Sequence, residues 1–271
     1  MKAFYFLLGF AILIVAVGNF NIPSTPAQEL QMIKKVSFGT MDLFGWLFAI
    51  VSTALLIPRD LEDRTLYTIL SKPVRRFDYL VGKLLGVLVL VGISLLFMFG
   101  ICSAVLFVRE FFYVTAELTA LEADPRYSQQ DALAQASLIK QQGWRWELIY
   151  ACWASFLKAA VVSSVTIFLS TFASSSLFTI ITSILLFLIG HAHTMASQFF
   201  VSETDGNWFV SALSRIIRFI IPDYQLFSFS EGIVLGEPIV LIAIAKVSLI
   251  ALAYILVYLL LSTLVFFDKE F

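Results

Sequence analysis

Long runs of apolar residues, separated by short polar stretches, constrain the fold of this chain more than any other feature. An α-helix rises about 1.5 Å per residue, so about 20 apolar residues cross the roughly 30 Å of hydrocarbon in a bilayer. Six runs approach or exceed that length, at about 3–18, 41–57, 84–107, 148–170, 177–195 and 239–266. The sequence therefore predicts an all-α integral membrane protein, with six transmembrane helices in a single domain that spans residues 1–271.

The composition supports the same class of protein. Of the 271 residues, 60% are apolar and 14% are charged, whereas soluble domains carry about 45–50% apolar and about 25% charged residues. The net charge of −1 argues against a nucleic-acid partner. Cys102 and Cys152 both lie inside apolar runs, so we interpret them as small buried hydrophobic residues and not as a disulfide or metal framework.

The first apolar run is the shortest, and two interpretations of it stay open. Met1 and Lys2 leave almost no charged region before the run, which allows a cleaved secretory signal. No small-x-small cleavage pattern follows in residues 18–21, which favours a helix that is retained in the mature protein.

The distribution of Lys and Arg predicts the orientation in the membrane. The loop 58–83 holds six basic residues, and with six spans it lies on the same side as both termini. The two sides of the membrane have equal numbers of basic residues. Those on the side opposite the loop 58–83, however, are spread over much longer segments. The positive-inside rule counts short loops close to the spans, so both termini and the loop 58–83 are predicted to be cytoplasmic.

Two longer segments, 108–147 and 196–238, then lie on the outer side. The first is predicted to form a small helical hairpin that turns at Asp124-Pro125 and ends at Gly143. In the second, residues 207–221 place a polar stripe opposite an apolar face, which predicts an amphipathic helix on the membrane surface. An amphipathic helix packed against protein is the alternative for this stretch.

The cytoplasmic loop has the pattern of a docking element. Leu61, Thr65 and Ile69 form one apolar edge of a short helix, and charged residues lie on the opposite side. Pro73 ends this helix, and Arg75-Arg76 follow as the chain returns to the membrane. A short amphipathic helix between two spans can lie flat under the bilayer and present its charges to a cytoplasmic partner.

The same loop resembles the membrane subunits of ATP-binding-cassette (ABC) exporters of the second permease type, also called type V exporters. That family has an acidic residue, an Arg-Thr-Leu triplet, a Ser-x-Pro-x-x-Arg turn and a Gly-Lys pair that opens the third span. In this chain the corresponding residues are Glu62, Arg64-Thr65-Leu66, Ser71-Lys72-Pro73-Val74-Arg75-Arg76 and Gly82-Lys83. Because both the spacing and the flanking spans match, the resemblance is specific.

Weaker matches and one departure accompany this motif. Gly190-His191 in the fifth run and Ile221-Pro222 before the last run resemble positions of the family. Family members usually have an amphipathic cytoplasmic helix before the first span, whereas here the first apolar run begins almost at Met1. Either the N-terminus is truncated, or the docking surface is confined to the loop after the second span.

The resemblance implies an exporter subunit that is not itself an enzyme. Such a subunit has six transmembrane helices, a cytoplasmic amphipathic coupling helix between spans two and three, and small extracytoplasmic helical segments. It has no catalytic residues and no cofactor of its own, because a separate cytoplasmic cassette ATPase binds ATP and Mg²⁺. The sequence agrees, since Gly82-Lys83 lacks the first glycine and the hydroxyl residue of a phosphate-binding loop.

The resemblance also implies the partners and the location. The expected partners are the ATPase, a second permease copy in a homodimer or heterodimer, and membrane lipids, and the expected location is the prokaryotic plasma (inner) membrane. Residues implied to couple to the ATPase are Leu61, Glu62, Arg64, Thr65, Leu66, Ile69, Ser71, Pro73, Arg75 and Arg76.

Two lysines lie inside predicted spans, Lys158 in the fourth and Lys246 in the sixth. A lysine at the centre of a membrane helix costs about 2.5–3.5 kcal/mol on insertion scales, so each requires a partner, a wet cavity or a route to the interface. A role in the translocation pathway and a structural or snorkelling role both stay open. His191 and His193 have no cysteine or carboxylate at metal-ligand spacing, so no metal site is predicted.

Two functions therefore compete. The first is a permease subunit that forms the translocation pathway, with export powered by the partner ATPase. The alternative is a non-transporting membrane anchor or scaffold that uses the same loop to hold a cassette ATPase for mechanical or assembly work.

Overall fold

The computed structural model describes residues 9, 25–56, 76–123, 129–173, 175–203, 222–228, 232 and 241–268. Within these residues the secondary structure is helical, without strands. The α-helices of these residues are α1 (Pro26–Ala54), α2 (Arg76–Ala123), α3 (Gln129–Gln142), α4 (Leu148–Phe172), α5 (Ser176–Glu203) and α6 (Leu241–Asp268), with a 3₁₀ helix at Tyr224–Phe227. The predicted first span and the predicted helix 207–221 lie outside the described residues, Gly9 excepted.

Four of these helices are long and apolar enough to cross a membrane. They are α1, residues 77–116 of α2, α4, and residues 241–265 of α6. Helix α5 contributes a shorter apolar helix, Ser176–Ala192, which corresponds to the predicted span 177–195. The all-α integral membrane class is therefore confirmed, and the full set of six spans with its orientation stays a prediction.

Helix α1 begins well before the apolar run that predicted it. The predicted span is 41–57, but the helix begins at Pro26, 15 residues before that run. The helix start has one of the two hydrogen bonds of a capping box, because the backbone N–H of Thr25 donates to Oε1 of Gln28 at 3.3 Å. Proline is favoured at the first helical position, and Glu29 in the first turn suits the positive end of the helix dipole.

Helix α2 is also longer than the run 84–107. It has 48 residues and extends about 72 Å, more than twice the hydrocarbon thickness. The first arm of the predicted hairpin is thus the continuation of α2 to Ala123, and the second arm is α3. The predicted end at Gly143 is confirmed, because α3 stops at Gln142, whereas the predicted turn at 124–125 lies outside the described residues.

Helix α4 is the most enclosed of the four candidate spans. Of its most apolar window, 78% is buried by protein, against 22% for α6. The hydroxyl groups of Ser163, Ser164 and Thr166 are buried and donate to backbone carbonyls of the preceding turn. These side chains are small, and their hydroxyl groups already have hydrogen-bond partners. Both properties allow α4 to pack closely against other helices.

The described residues form two compact units. The first contains α1 to Phe44, α2 from Gly92, α3, and α4 to Trp153, with the first turn of α6. The second contains the remaining parts of α1, α2, α4 and α6, together with α5 and the segment 222–228. A buried cluster in the second unit joins α2, α4 and α6 through Leu80, Ile167 and Leu259.

Candidate functional site

Lys158 is the centre of the candidate site in the second unit. It lies on α4 and only 1% of its surface is exposed. Its ammonium donates to Oγ of Ser228 at 3.4 Å, and it lies 5.8 Å from the centroid of the Phe187 ring. A cation at this distance from an aromatic face is attracted by the ring quadrupole, more strongly where water is excluded.

The segment 222–228 is folded so that Ser228 reaches this lysine. The carboxylate of Asp223 accepts a hydrogen bond from the backbone N–H of Gln225 at 3.0 Å and thereby caps the 3₁₀ helix. Tyr224 and Phe227 are buried and anchor the same turn. The Gln225 side chain donates to the backbone carbonyl of His191 at 3.0 Å, which ties the segment to α5.

Close packing between α5 and this segment depends on Gly190. A Cβ at residue 190 would come to 2.6 Å from the carbonyl oxygen of Pro222 and 2.7 Å from the ring of Tyr224. Contacts that short are not tolerated, so only glycine permits the observed approach. Gly190 and Pro222, one residue from each of the two weaker family matches of the sequence, therefore meet in this contact.

An aromatic cluster surrounds the same place. Trp46 stacks on Phe187 with ring centroids 4.1 Å apart, and Phe187 also contacts Tyr224 at 4.9 Å. The imidazole of His191 stacks on Phe187 at 6.0 Å. Burial raises the pKa of Tyr224 well above its usual range, so its phenol stays neutral. The ammonium of Lys158 therefore lies beside the hydroxyl of Ser228 and the edge of an aromatic cluster.

Lys246, the second lysine predicted from the sequence, has a different environment. It lies on α6 five residues after Leu241, about 8 Å along the helix axis, and it is exposed. Its neighbours on the same face include Ile242 and Leu249, which are 64% and 74% exposed. The structure thus buries Lys158 inside the protein and leaves Lys246 on an apolar surface.

The residues predicted to couple to an ATPase lie outside the described residues, with one exception. Arg76 is the first residue of α2, and only its backbone is described. Their role stays a prediction.

Sequence reasoning missed a second buried lysine, Lys34, because it precedes the apolar run 41–57 and so lies outside the predicted spans. Lys34 lies on α1 in the first unit and is 1% exposed. The sequence Thr25-Pro26-Ala27-Gln28, which is typical of a helix start, was the local signal that could have placed this lysine on a helix. Within the described residues no group of three His, Cys, Asp or Glu side chains is arranged to hold a metal ion.

Comparison with known proteins agrees with the resemblance noted in the sequence. The family model described as "ABC-2 family transporter protein" matches residues 4–271, which is nearly the whole chain. No curated protein matches the chain. Subunits of this family form the membrane component of a transporter and are not themselves catalytic, and the family implies a partner ATPase. The chain belongs to the ABC-2 transporter family and is a membrane subunit of an ABC transporter.

Proposed function

We propose that this chain is the transmembrane subunit of an ABC exporter, in which it forms the translocation pathway. The observation that carries the proposal is the family match over residues 4–271. Two further features support it: the motif in the loop 58–83, and a buried lysine beside an aromatic cluster. The complex lies in the prokaryotic inner membrane with both termini in the cytoplasm, and a second permease copy completes it.

The ATPase docks on residues 58–76 and transmits the force of ATP binding to the spans on either side. Exposed ion pairs contribute only about 0–1 kcal/mol each, so the apolar edge of the docking helix supplies most of the affinity. The charges of this surface supply orientation and specificity. ATP and Mg²⁺ are bound by the partner, and closure of two ATPases tilts the attached spans.

Lys158 and Lys246 contribute positive charge to the pathway. Lys158 is proposed to act in the pathway because it is a buried lysine inside a predicted span, where a lysine is costly and marks a functional position. Lys246 lies on the exposed face of α6, where a second permease copy would enclose it in the pathway.

The test uses the complex of the permease with its ATPase, reconstituted in proteoliposomes. Substrate-dependent stimulation of ATP hydrolysis is measured for the unmodified chain and for Lys158→Leu. We expect the variant to retain ATPase binding and basal hydrolysis and to lose most of the stimulation. Stimulation that is unchanged in Lys158→Leu would remove this lysine from the pathway. If none of the compounds tested stimulates hydrolysis by the unmodified complex, the non-transporting anchor is favoured.

A further inference from the structure

In the first unit, a buried lysine connects α1 to α3. The ammonium of Lys34 donates to Oε1 of Gln142 at 3.1 Å, and Gln142 is the last residue of α3. Lys34 is 1% exposed, so loss of this acceptor would leave a buried cation with one hydrogen bond fewer. Such a loss is expensive, because a buried donor cannot recover its bond from water. The end of α3 is therefore held firmly on α1.

A carboxylate connects α2 to the residues that follow α3. Oε2 of Glu110 accepts a hydrogen bond from the backbone N–H of Trp144 at 2.8 Å. The carboxylate also packs directly on Gly143, where a Cβ would overlap it and come to 2.8 Å from Oε1. The two polar contacts thus lie on either side of Gly143, one to α1 through Gln142 and one to α2 through Trp144.

A third contact connects α1 and α2 directly. Glu29, in the first turn of α1, accepts a hydrogen bond from the phenol of Tyr113 on α2. Nη1 of Arg109, one turn earlier on α2, lies 3.9 Å from Oε1 of Glu29 and 3.5 Å from the phenol oxygen. Each pair among α1, α2 and the segment 129–147 is therefore joined by at least one polar contact.

We propose that these contacts form a clasp that holds the Glu29 end of α1, the Tyr113 end of α2 and the segment 129–147 together as one body through the transport cycle. The clasp consists of Glu29, Lys34, Arg109, Glu110, Tyr113, Gln142 and the backbone N–H of Trp144. The segment 129–147 then keeps its position relative to these parts of α1 and α2 and does not open or close during the cycle. The movements driven by ATP occur elsewhere in the chain. The inference rests on the proposed function, because it concerns a cycle powered by the partner ATPase.

The test measures distances between spin labels in the permease–ATPase complex in nanodiscs, in a chain whose two cysteines are replaced by alanine. One pair of labels is placed at Met32 and Leu138 and another at Phe112 and Leu138, all of which are exposed. Each distance is measured without nucleotide and after trapping with ATP and vanadate. We expect each pair of labels to give the same distance distribution in the two states. A shift of either distribution on trapping would contradict the proposed clasp.

A pair of matched variants tests whether the polar contacts hold the segment. Lys34→Met removes the buried donor, whereas Lys140→Met removes an exposed lysine of the same region, on α3. We expect Lys34→Met to broaden the distribution of distances between the labels at Met32 and Leu138, and Lys140→Met to leave that distribution unchanged. A distribution that Lys34→Met does not alter would contradict the proposal.

The same preparation separates this inference from the proposed function. ATP hydrolysis by each labelled complex is measured first. If hydrolysis is retained and the distances shift, the clasp is wrong and the transporter proposal stands. If no ATPase associates with the unmodified chain, the proposed function is wrong, and the Lys34→Met comparison in the permease alone still decides whether the contacts hold the segment.

Discussion

Gly190 on α5 lies directly against the backbone carbonyl of Pro222. A methyl group at residue 190 would come to 2.6 Å from that oxygen and 2.7 Å from the ring of Tyr224. The segment 222–228 can approach α5 this closely because Gly190 has no side chain. This approach places Ser228 within hydrogen-bond distance of Lys158. The geometry around the buried lysine depends on this one small residue.

Replacement of Gly190 by alanine should destabilise the protein, because the added methyl group has no space and backbone must move. Overpacking of this kind costs about 1–3 kcal/mol, and we expect a lower midpoint of thermal unfolding in detergent. Gly86→Ala is the matched control, since Gly86 lies in α2 with nothing within 4 Å of the added Cβ. There the better helix propensity of alanine should give no loss, or a gain of up to about 1 kcal/mol. Equal unfolding midpoints for the two variants would contradict the packing described here.

The second prediction concerns the aromatic cluster around Lys158. Phe187→Leu keeps an apolar side chain but removes the ring that stacks on Trp46 and faces the ammonium. We expect a loss of about 1–2 kcal/mol, since aromatic pairs and cation–π contacts contribute about 0.5–1.5 and about 0.5–2 kcal/mol. Phe178→Leu, at an exposed position of the same helix, should change the unfolding midpoint little. A Phe187→Leu protein as stable as the control would mean that neither contact matters.

The third prediction concerns Gly143, which lies between the two polar contacts of the clasp. Gly143→Ala should displace the Glu110 carboxylate and lengthen its bond to the Trp144 backbone N–H. We expect faster hydrogen exchange at Trp144, together with a loss of stability of about 1–3 kcal/mol from overpacking. Gly39→Ala on α1, with nothing within 4 Å of its Cβ, is the control and should leave the exchange at Trp144 unchanged. Unaltered exchange in Gly143→Ala would show that the carboxylate is not confined there.

The sequence predicted the helices best where an apolar run coincides with a whole helix. The runs 148–170 and 239–266 correspond to α4 at Leu148–Phe172 and α6 at Leu241–Asp268, because in these two helices the apolar residues extend over nearly the whole length. It failed where a helix continues into polar residues, as α1 does before residue 41 and α2 does after residue 107. Helix propensity and capping set those ends, and an apolar-run criterion does not detect them.

The sequence identified Lys158 as an unusual residue, a lysine inside a predicted span, but it did not identify the residues that contact it. A lysine within an apolar run can be recognised from the sequence alone. Its contacts with Phe187 and Ser228, however, are with residues 29 and 70 positions away along the chain. Lys34 was missed for a related reason: it precedes the apolar run, and its acceptor is Gln142, 108 residues later. Contacts of such large separation follow from tertiary packing and not from local pattern.

Residues 58–76 are proposed as the docking surface for a separate ATPase, and co-purification of the two proteins measures this docking most directly. The permease is co-expressed with its cassette ATPase, and the amount of ATPase recovered is compared for the unmodified chain, for Arg75→Glu with Arg76→Glu, and for Lys140→Glu as the charge-reversed control. Reversal of two adjacent positive charges replaces attraction by repulsion against a complementary partner surface. We predict that the double variant loses most of the bound ATPase while the Lys140→Glu chain retains it, and full recovery of the ATPase with the double variant would contradict the account.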